Sequence, residues 1–150
     1  MYSAEEILEI AVKIELNGKE FYEDLEGKTE DKELKRLFGF LASQEDVHRL
    51  RFEDLKRYAE SFVSPQEWEE IEPYLNAMVQ STFFLGDDKT LAKVKKVEDV
   101  REAIRLAIQF EKDTILFYYE LLKLTNEEIK EIIEKIVQEE KKHVLMLSNV

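Results

Sequence analysis

The chain has 150 residues, of which 37% are charged and 44% hydrophobic, and its formal net charge is −12. This length predicts a single domain over residues 1–150, and the low counts of four Gly and two Pro favour helices. The excess of acidic over basic residues argues against binding to nucleic acid or to anionic membranes. The absence of cysteine excludes disulfides and cysteine-ligated iron centres within these residues. The start MYSAEEILEI lacks the basic segment of a signal peptide, so we expect a cytoplasmic protein.

Two helices are predicted in the first 61 residues. Residues 3–26 carry apolar side chains at helical spacing, and Ser3 followed by Glu6 forms a capping box that starts the helix. The segment GKTEDK interrupts this pattern. A second amphipathic helix is predicted from about Thr29 to Ser61. Because the turn between the two helices is short, we expect an antiparallel hairpin.

A second hairpin follows a long connection. Ser64 and Pro65 predict the start of a short helix within that connection, whose roughly 35 residues are too many for a bare loop. Asp99 and Glu102 cap a third long helix, and the turn at residues 125–126 separates it from a fourth. The predicted fold is all-α: a four-helix bundle of two antiparallel helical hairpins joined by a long crossover containing a short helix.

The two predicted hairpins repeat one another. An offset of 96 residues aligns the first long helix with the third, and an offset of 95 aligns the second with the fourth. Each half contains a Glu, a Tyr seven places later, and a Glu-x-x-His motif in the following helix. These residues are Glu15, Tyr22, Glu45 and His48 in the first half, and Glu111, Tyr118, Glu140 and His143 in the second.

The repeated glutamates are expected to lie at one height in the bundle. In an antiparallel hairpin, residues equally far from the turn are level with each other. The midpoint of Glu15 and Glu45 falls beside the first predicted turn, and the midpoint of Glu111 and Glu140 falls in the second. Each histidine lies one helical turn from its glutamate, so both side chains of a motif can reach one centre.

Carboxylates and imidazoles in one buried layer suggest a metal site. Four buried carboxylates are very costly unless cations compensate their charge, and two divalent ions would do so. Carboxylate with imidazole is a ligand set suited to iron or manganese. One Glu from each of two helices plus Glu-x-x-His from each of the other two is the pattern of dinuclear carboxylate bundles. The predicted metal ligands are Glu15, Glu45, His48, Glu111, Glu140 and His143.

The stretches KIELNGKEFY, ASQEDVH, IQFEKDTILFY and VQEEKKH resemble those of rubrerythrin-related, ferritin-like di-iron proteins, and the resemblance covers nearly the whole chain. It implies a centre of two iron ions, with manganese as the alternative. It implies hydrogen peroxide or dioxygen as the oxidant, with oxidation of Fe(II) as a related activity, and a homodimer. The implied roles are terminal carboxylates for Glu15 and Glu111, bridging carboxylates for Glu45 and Glu140, and one metal each for His48 and His143. Tyr22 and Tyr118 are implied to donate hydrogen bonds to carboxylates across the bundle, with simple core packing as the alternative.

The sequence departs from that family in two respects. Rubrerythrins carry a C-terminal rubredoxin domain, which these cysteine-free residues do not provide, so a separate electron-donor protein is expected. Rubrerythrins also have an extra Glu three residues after the ligand of the third helix. Here that position is Thr114 and its repeat partner is Gly18. This argues against a redox-linked exchange of ligands, and two small residues could instead leave an open coordination position.

Three functions remain open from the sequence. The chain could be a di-iron oxidoreductase, a protein that binds or sequesters iron without turnover, or a purely structural bundle. Several polar residues near the motifs are expected on the solvent-facing surface, with Glu20 and Glu120 as alternative extra ligands; they are Glu20, Asp24, Glu120 and Glu139. Aromatic residues of the connection are expected to pack on the bundle or form a dimer contact; they are Trp68, Phe83 and Phe84.

Overall fold

The structure, a computed structural model, describes residues 3–62, 65–81 and 99–150. The predicted all-α fold is confirmed. Four long helices form two hairpins, and a fifth helix lies in the crossover between them. The helices are α1 Ala4–Lys28, α2 Lys32–Leu55, α3 Pro65–Ser81, α4 Val100–Leu122 and α5 Glu127–Ser148. None of these helices is long and apolar enough to cross a membrane.

The caps predicted from the sequence begin the first hairpin. Ser3 Oγ accepts the amide N–H of Glu6 at 3.1 Å, and Glu6 Oε1 accepts the amide N–H of Ser3 at 3.4 Å. Asp31 starts α2 by accepting the amide N–H groups of Glu33 and Leu34. Only three residues separate α1 from α2, so the two helices pack antiparallel along their lengths.

The second hairpin begins in the same way. The Asp99 side chain accepts the amide N–H of Arg101, and the Asn126 side chain accepts that of Ile129. Glu102 does not complete a capping box, because its carboxylate pairs with Arg105 one turn further along α4. The crossover helix begins at Pro65 as predicted.

Helical structure extends to Ser61 as predicted, but the type of helix changes before that residue. The α-helical part ends at Leu55 and continues as a 3₁₀ helix over Lys56–Ser61. Tyr58, with φ −111° and ψ 21°, leaves helical geometry within that segment. The tighter turn brings Phe62 into an antiparallel backbone pairing with Thr125, in the turn between α4 and α5.

Among the described residues, the buried core is apolar except for one charged layer and the two threonines Thr29 and Thr114. Aromatic rings pack beside the buried tyrosines: the ring centroids of Phe52 and Tyr118 are 5.0 Å apart, and those of Tyr22 and Phe38 are 6.5 Å apart. Phe83 and Phe84, like the predicted cap Ser64, lie outside the described residues, and the Trp68 side chain is outside them as well.

Candidate metal centre

The polar layer consists of the six side chains that the sequence singles out as ligands. Each is at most 1% exposed. One carboxylate comes from α1 and one from α4, while α2 and α5 each supply a carboxylate and an imidazole. They are Glu15 from α1, Glu45 and His48 from α2, Glu111 from α4, and Glu140 and His143 from α5.

These side chains form two overlapping groups. In each group, one ligand atom from every member lies within 4.8 Å of the others. One group contains Glu15 and His48, and the other contains Glu111 and His143. Glu45 and Glu140 belong to both groups. The layer therefore has the form of two four-ligand sites that share two carboxylates.

Both histidines direct the same ring nitrogen towards the carboxylates. His48 Nδ1 is 2.7 Å from Glu140 Oε1 and 3.6 Å from Glu15 Oε2. His143 Nδ1 lies 3.3 Å from Glu140 Oε2 and 3.4 Å from Glu45 Oε1. The two imidazole rings are nearly parallel, with centroids 5.9 Å apart. Both rings therefore contact Glu140, and each also lies near carboxylates that the other does not contact: Glu15 for His48, and Glu45 and Glu111 for His143.

The crowded carboxylates make the histidines strongly basic when no cation lies between them. Burial by itself lowers the pKa of His48, but the negative charge of Glu15 and the contact with Glu140 outweigh it and raise the pKa to about 11. Burial also opposes protonation of His143, yet its closeness to Glu111 and Glu140 raises the pKa to about 10. Both imidazoles are therefore protonated at neutral pH in the metal-free protein.

The carboxylates divide into two kinds. Burial raises the pKa of Glu45 well above its usual range, and repulsion from Glu140 and Glu15 acts in the same direction. Burial, with repulsion from Glu140, raises the pKa of Glu111 to about 8. Burial opposes ionisation of Glu15 as well, but the nearby Glu45 and His48 lower its pKa. Such a layer limits its negative charge by holding protons, which cations can replace.

Unpaired polar atoms show that the layer fits a metal centre. Within the described part of the chain, six of its buried oxygen and nitrogen atoms have no hydrogen-bond partner. Unpaired polar atoms in a core are costly, and so many in one place need an explanation. Cations bound between the carboxylates would give them partners. The atoms are Glu15 Oε2, both carboxylate oxygens of Glu45, Glu111 Oε2, Glu140 Oε2 and His143 Nδ1.

Two tyrosines hold the outer carboxylates. The Tyr22 hydroxyl on α1 donates to Glu111 Oε1 on α4 at 2.6 Å, and the Tyr118 hydroxyl on α4 donates to Glu15 Oε1 on α1 at 2.6 Å. Both tyrosines are fully buried. Burial, together with the charges of these carboxylates, raises the pKa of both phenols well above the usual value, so they remain hydrogen donors. Each hairpin therefore orients a carboxylate of the other.

Glu139 does not lie on ordinary helix surface, and the expectation that it faces away from the centre was wrong. Its Oε2 is 2.5 Å from His48 Nε2, the ring nitrogen on the side opposite Glu140. Its carboxylate also accepts a hydrogen bond from Arg51 at 3.1 Å. Sequence reasoning missed this contact because Glu139 points towards α2, a neighbouring helix. The one available signal was Gln44, its uncharged counterpart in the repeat, which indicates that the two halves differ here.

The other polar residues near the motifs lie outside the layer. Glu20 is exposed, Asp24 pairs with Lys28, and Glu120 pairs with Lys123. Neither Glu20 nor Glu120 belongs to either of the two groups.

Two small residues line the layer. Thr114 is buried, and its hydroxyl donates to the carbonyl of Phe110 within α4. Gly18 is packed closely: a Cβ atom there would lie 3.0 Å from Phe110 Cε1 and 3.3 Å from Glu45 Cδ. The space beside Gly18 is therefore used by the Phe110 ring and by the carboxylate of Glu45.

Comparisons with known proteins bear on this centre. The family profile described as Rubrerythrin matches residues 6–150. A solved structure of a candidate ferritin-like diiron-carboxylate protein from Thermotoga maritima is similar, with a TM-score of 0.71 and 26% sequence identity. The match covers 99% of this chain and 93% of that chain. The search of curated proteins finds no match.

Proposed function

This chain belongs to the rubrerythrin family, and on that premise we propose that its six buried side chains bind two iron ions that transfer electrons to hydrogen peroxide or dioxygen. The family implies a dinuclear metal site. The observation that carries the proposal is that Glu45 and Glu140 belong to both four-ligand groups. Two carboxylates shared between two sites are what a pair of bridged metals requires.

The grouping supports the ligand roles that the resemblance implies. Glu45 and Glu140 would be shared by the two ions. Glu15 and His48 would complete the first site, and Glu111 and His143 the second, with Glu15 and Glu111 as terminal carboxylates. Four carboxylates supply four negative charges, which two divalent ions balance. Carboxylate and imidazole ligands suit iron, with manganese as the alternative.

When bound, the metal pair supplies electrons and Lewis acidity towards the oxidant. The protein supplies geometry and protection from water. The hydroxyls of Tyr22 and Tyr118 fix the terminal carboxylates at 2.6 Å, and Glu139 holds the outer nitrogen of His48. Because residues 1–150 contain no cysteine to hold a rubredoxin-type iron centre, we propose that the electrons come from a donor outside these residues, for which a separate electron-donor protein is our candidate.

Iron binding without turnover is the second candidate function. It is favoured by Thr114, which stands where rubrerythrins carry an extra carboxylate and whose hydroxyl is already engaged by the carbonyl of Phe110. A sequestering protein would bind and oxidise iron but would not pass through repeated cycles. Both functions use the same six ligands, so the experiment must separate binding, oxidation and re-reduction.

An anaerobic titration with Fe(II), followed by hydrogen peroxide or dioxygen, tests the proposal. We expect two Fe(II) to bind per chain, both to be oxidised, and a reduced electron donor to restore the ferrous state through several cycles. Oxidation without re-reduction would favour sequestration, and failure to bind iron would overturn both functions. Metal analysis of the purified protein distinguishes iron from manganese.

A matched pair of variants tests whether the binding of two ions depends on the buried layer. Glu45→Gln removes a shared carboxylate with little change in shape, and we expect it to abolish binding of two ions. Glu20→Gln makes the same change at an exposed position of α1 and should bind two ions like the parent chain. Equal behaviour of the two variants would contradict the assignment of the centre.

A further inference from the structure

A charged pair from two helices holds the outer ring nitrogen of His48. Glu139 Oε2 on α5 lies 2.5 Å from His48 Nε2. Arg51, one helical turn beyond His48 on α2, donates to both carboxylate oxygens of Glu139, at 3.1 Å and 3.4 Å. The His48 side chain is fully buried, whereas those of Glu139 and Arg51 are 20% and 32% exposed. Glu139 therefore cannot turn away from the imidazole without also breaking its charge-assisted hydrogen bonds to Arg51.

The second half of the repeat supplies no such pair for His143. The 95-residue offset that relates the two Glu-x-x-His motifs aligns Glu139 with Gln44 and Arg51 with Met146. A thioether donates no hydrogen bond, so Met146 cannot anchor Gln44 as Arg51 anchors Glu139. In the part of the chain that the structure describes, neither Gln44 nor Met146 is hydrogen-bonded to the ring of His143. This imidazole therefore lacks a polar support on its outer side.

The rest of the layer treats the two imidazoles alike. One tyrosine hydroxyl holds each outer carboxylate at 2.6 Å, and Glu45 and Glu140 belong to both four-ligand groups. Both rings direct Nδ1 towards the carboxylates. The two proposed metal positions therefore differ mainly in what supports each imidazole from outside.

We infer that Arg51 and Glu139 are positioning residues that make the two metal positions unequal, so that the position beside His48 keeps its ion while the position beside His143 exchanges its ion with solution. This rests on the proposed dinuclear centre and adds an order of filling to it. An imidazole that is already held at Nε2 loses less freedom when Nδ1 binds a metal, and the carboxylate at Nε2 makes Nδ1 a better donor. The first ion to bind therefore lies beside His48.

An anaerobic, stepwise calorimetric titration of the full-length chain with Mn(II) tests this order. We expect two affinities that differ roughly 10- to 100-fold. Crystals grown with one equivalent of Mn(II) should show the anomalous scattering of that ion beside His48. Two equal affinities, or a first ion beside His143, would contradict the inference and leave the proposed binding of two ions intact.

Two double variants exchange the outer supports between the halves of the repeat. Glu139→Gln/Arg51→Met gives the first half the residues of the second, and it should lower the tighter affinity to near the weaker one. Gln44→Glu/Met146→Arg makes the opposite change and should raise the weaker affinity to near the tighter one. Loss of folding stability alone would lower both affinities together. If the folded double variants keep two affinities as unequal as those of the parent chain, the inference is wrong.

Single variants separate positioning from a general structural role. Arg51→Met should lower only the tighter affinity, and Arg51→Lys, which keeps a cation beside Glu139, should restore most of it. Gln138→Glu, which adds a charge at an exposed position of α5, should leave both affinities unchanged. Far-ultraviolet circular dichroism verifies that each variant is folded. Because Mn(II) binding is measured without an oxidant, failure of the proposed iron cycling would not affect the order of filling.

Discussion

Single residues outside the proposed ligand set determine how the proposed ligands are held. Tyr22 and Tyr118 each donate one hydrogen bond to a terminal carboxylate, and both belong to the repeat. Glu139 has no such counterpart, since Gln44 occupies the equivalent position. His48 is therefore held at both ring nitrogens, by Glu140 and by Glu139. Among the described residues, none contacts the outer ring nitrogen of His143 as Glu139 contacts that of His48. The two proposed metal positions therefore differ in their surroundings.

This asymmetry predicts unequal effects on the two metals. Glu139→Ala should lower the affinity for the ion beside His48 roughly 10- to 100-fold and leave the affinity for the other ion nearly unchanged. The reason is that loss of an outer hydrogen bond frees the imidazole to turn. Stepwise calorimetric titration with Fe(II) or Mn(II) measures the two affinities. Glu134→Ala, at an exposed position on the same helix, is the control. Equal weakening of both ions would rule out a specific role for Glu139.

At the scale of the elements, the two hairpins share one plan but pack differently around the centre. Gly18 in α1 allows Phe110 of α4 and Glu45 of α2 to approach closely. Gly27, near the end of the same helix, has no neighbour within 4 Å of where a Cβ would lie. The same residue type therefore serves a packing need at one position and none at the other.

The two glycines predict opposite responses to alanine. Gly27→Ala should raise the free energy of unfolding by roughly 0.5–1 kcal/mol, since alanine is the better helix former. Gly18→Ala should lower it, because the new methyl group meets Phe110 and Glu45 in a packed core, at a cost of about 1–3 kcal/mol. Urea unfolding of the metal-free protein gives both values. If Gly18→Ala proves as stabilising as Gly27→Ala, the close packing at Gly18 is not significant.

At the scale of the whole molecule, folding brings four carboxylates and two imidazoles from separate helices into one buried layer. The layer binds protons more tightly than the unfolded chain does at His48, His143, Glu45 and Glu111. A group whose pKa is raised by folding stabilises the protein fully below its unfolded value and loses that contribution as the pH rises through its folded value. Metal ions compete with those protons for the same atoms.

The pH dependence of the metal-free protein should therefore be opposite to that of metal binding. Between pH 6.5 and about 10, the free energy of unfolding should fall as the pKa values of His143 and His48, about 10 and about 11, are approached. Metal affinity should rise over the same range, with release of protons. Calorimetry in buffers of different ionisation enthalpy measures that release, and a value of zero at pH 7 would contradict the prediction.

Much of the architecture could be predicted because helical periodicity and capping are local. Three side chains cap the starts of helices by accepting amide N–H groups close to them in the sequence. They are Ser3, Asp99 and Asn126, the last in the turn at 125–126. The change from α-helix to 3₁₀ helix after Leu55 was not predicted in this way, and the segment that follows it ends in a pairing of Phe62 with Thr125, which is distant in the sequence. The shared height of the four glutamates along the bundle could be predicted, because it depends only on how many residues separate each glutamate from its turn.

The sequence by itself determined which residues share a height and which side of each helix faces the core, since both follow from the rise and twist of one helix. Only the tertiary structure decided what lies between helices. It determined that both histidines present Nδ1 to the carboxylate layer and that Glu139 contacts His48. These contacts depend on the rotation and separation of neighbouring helices, which the packing of the whole core sets jointly and no single repeat encodes.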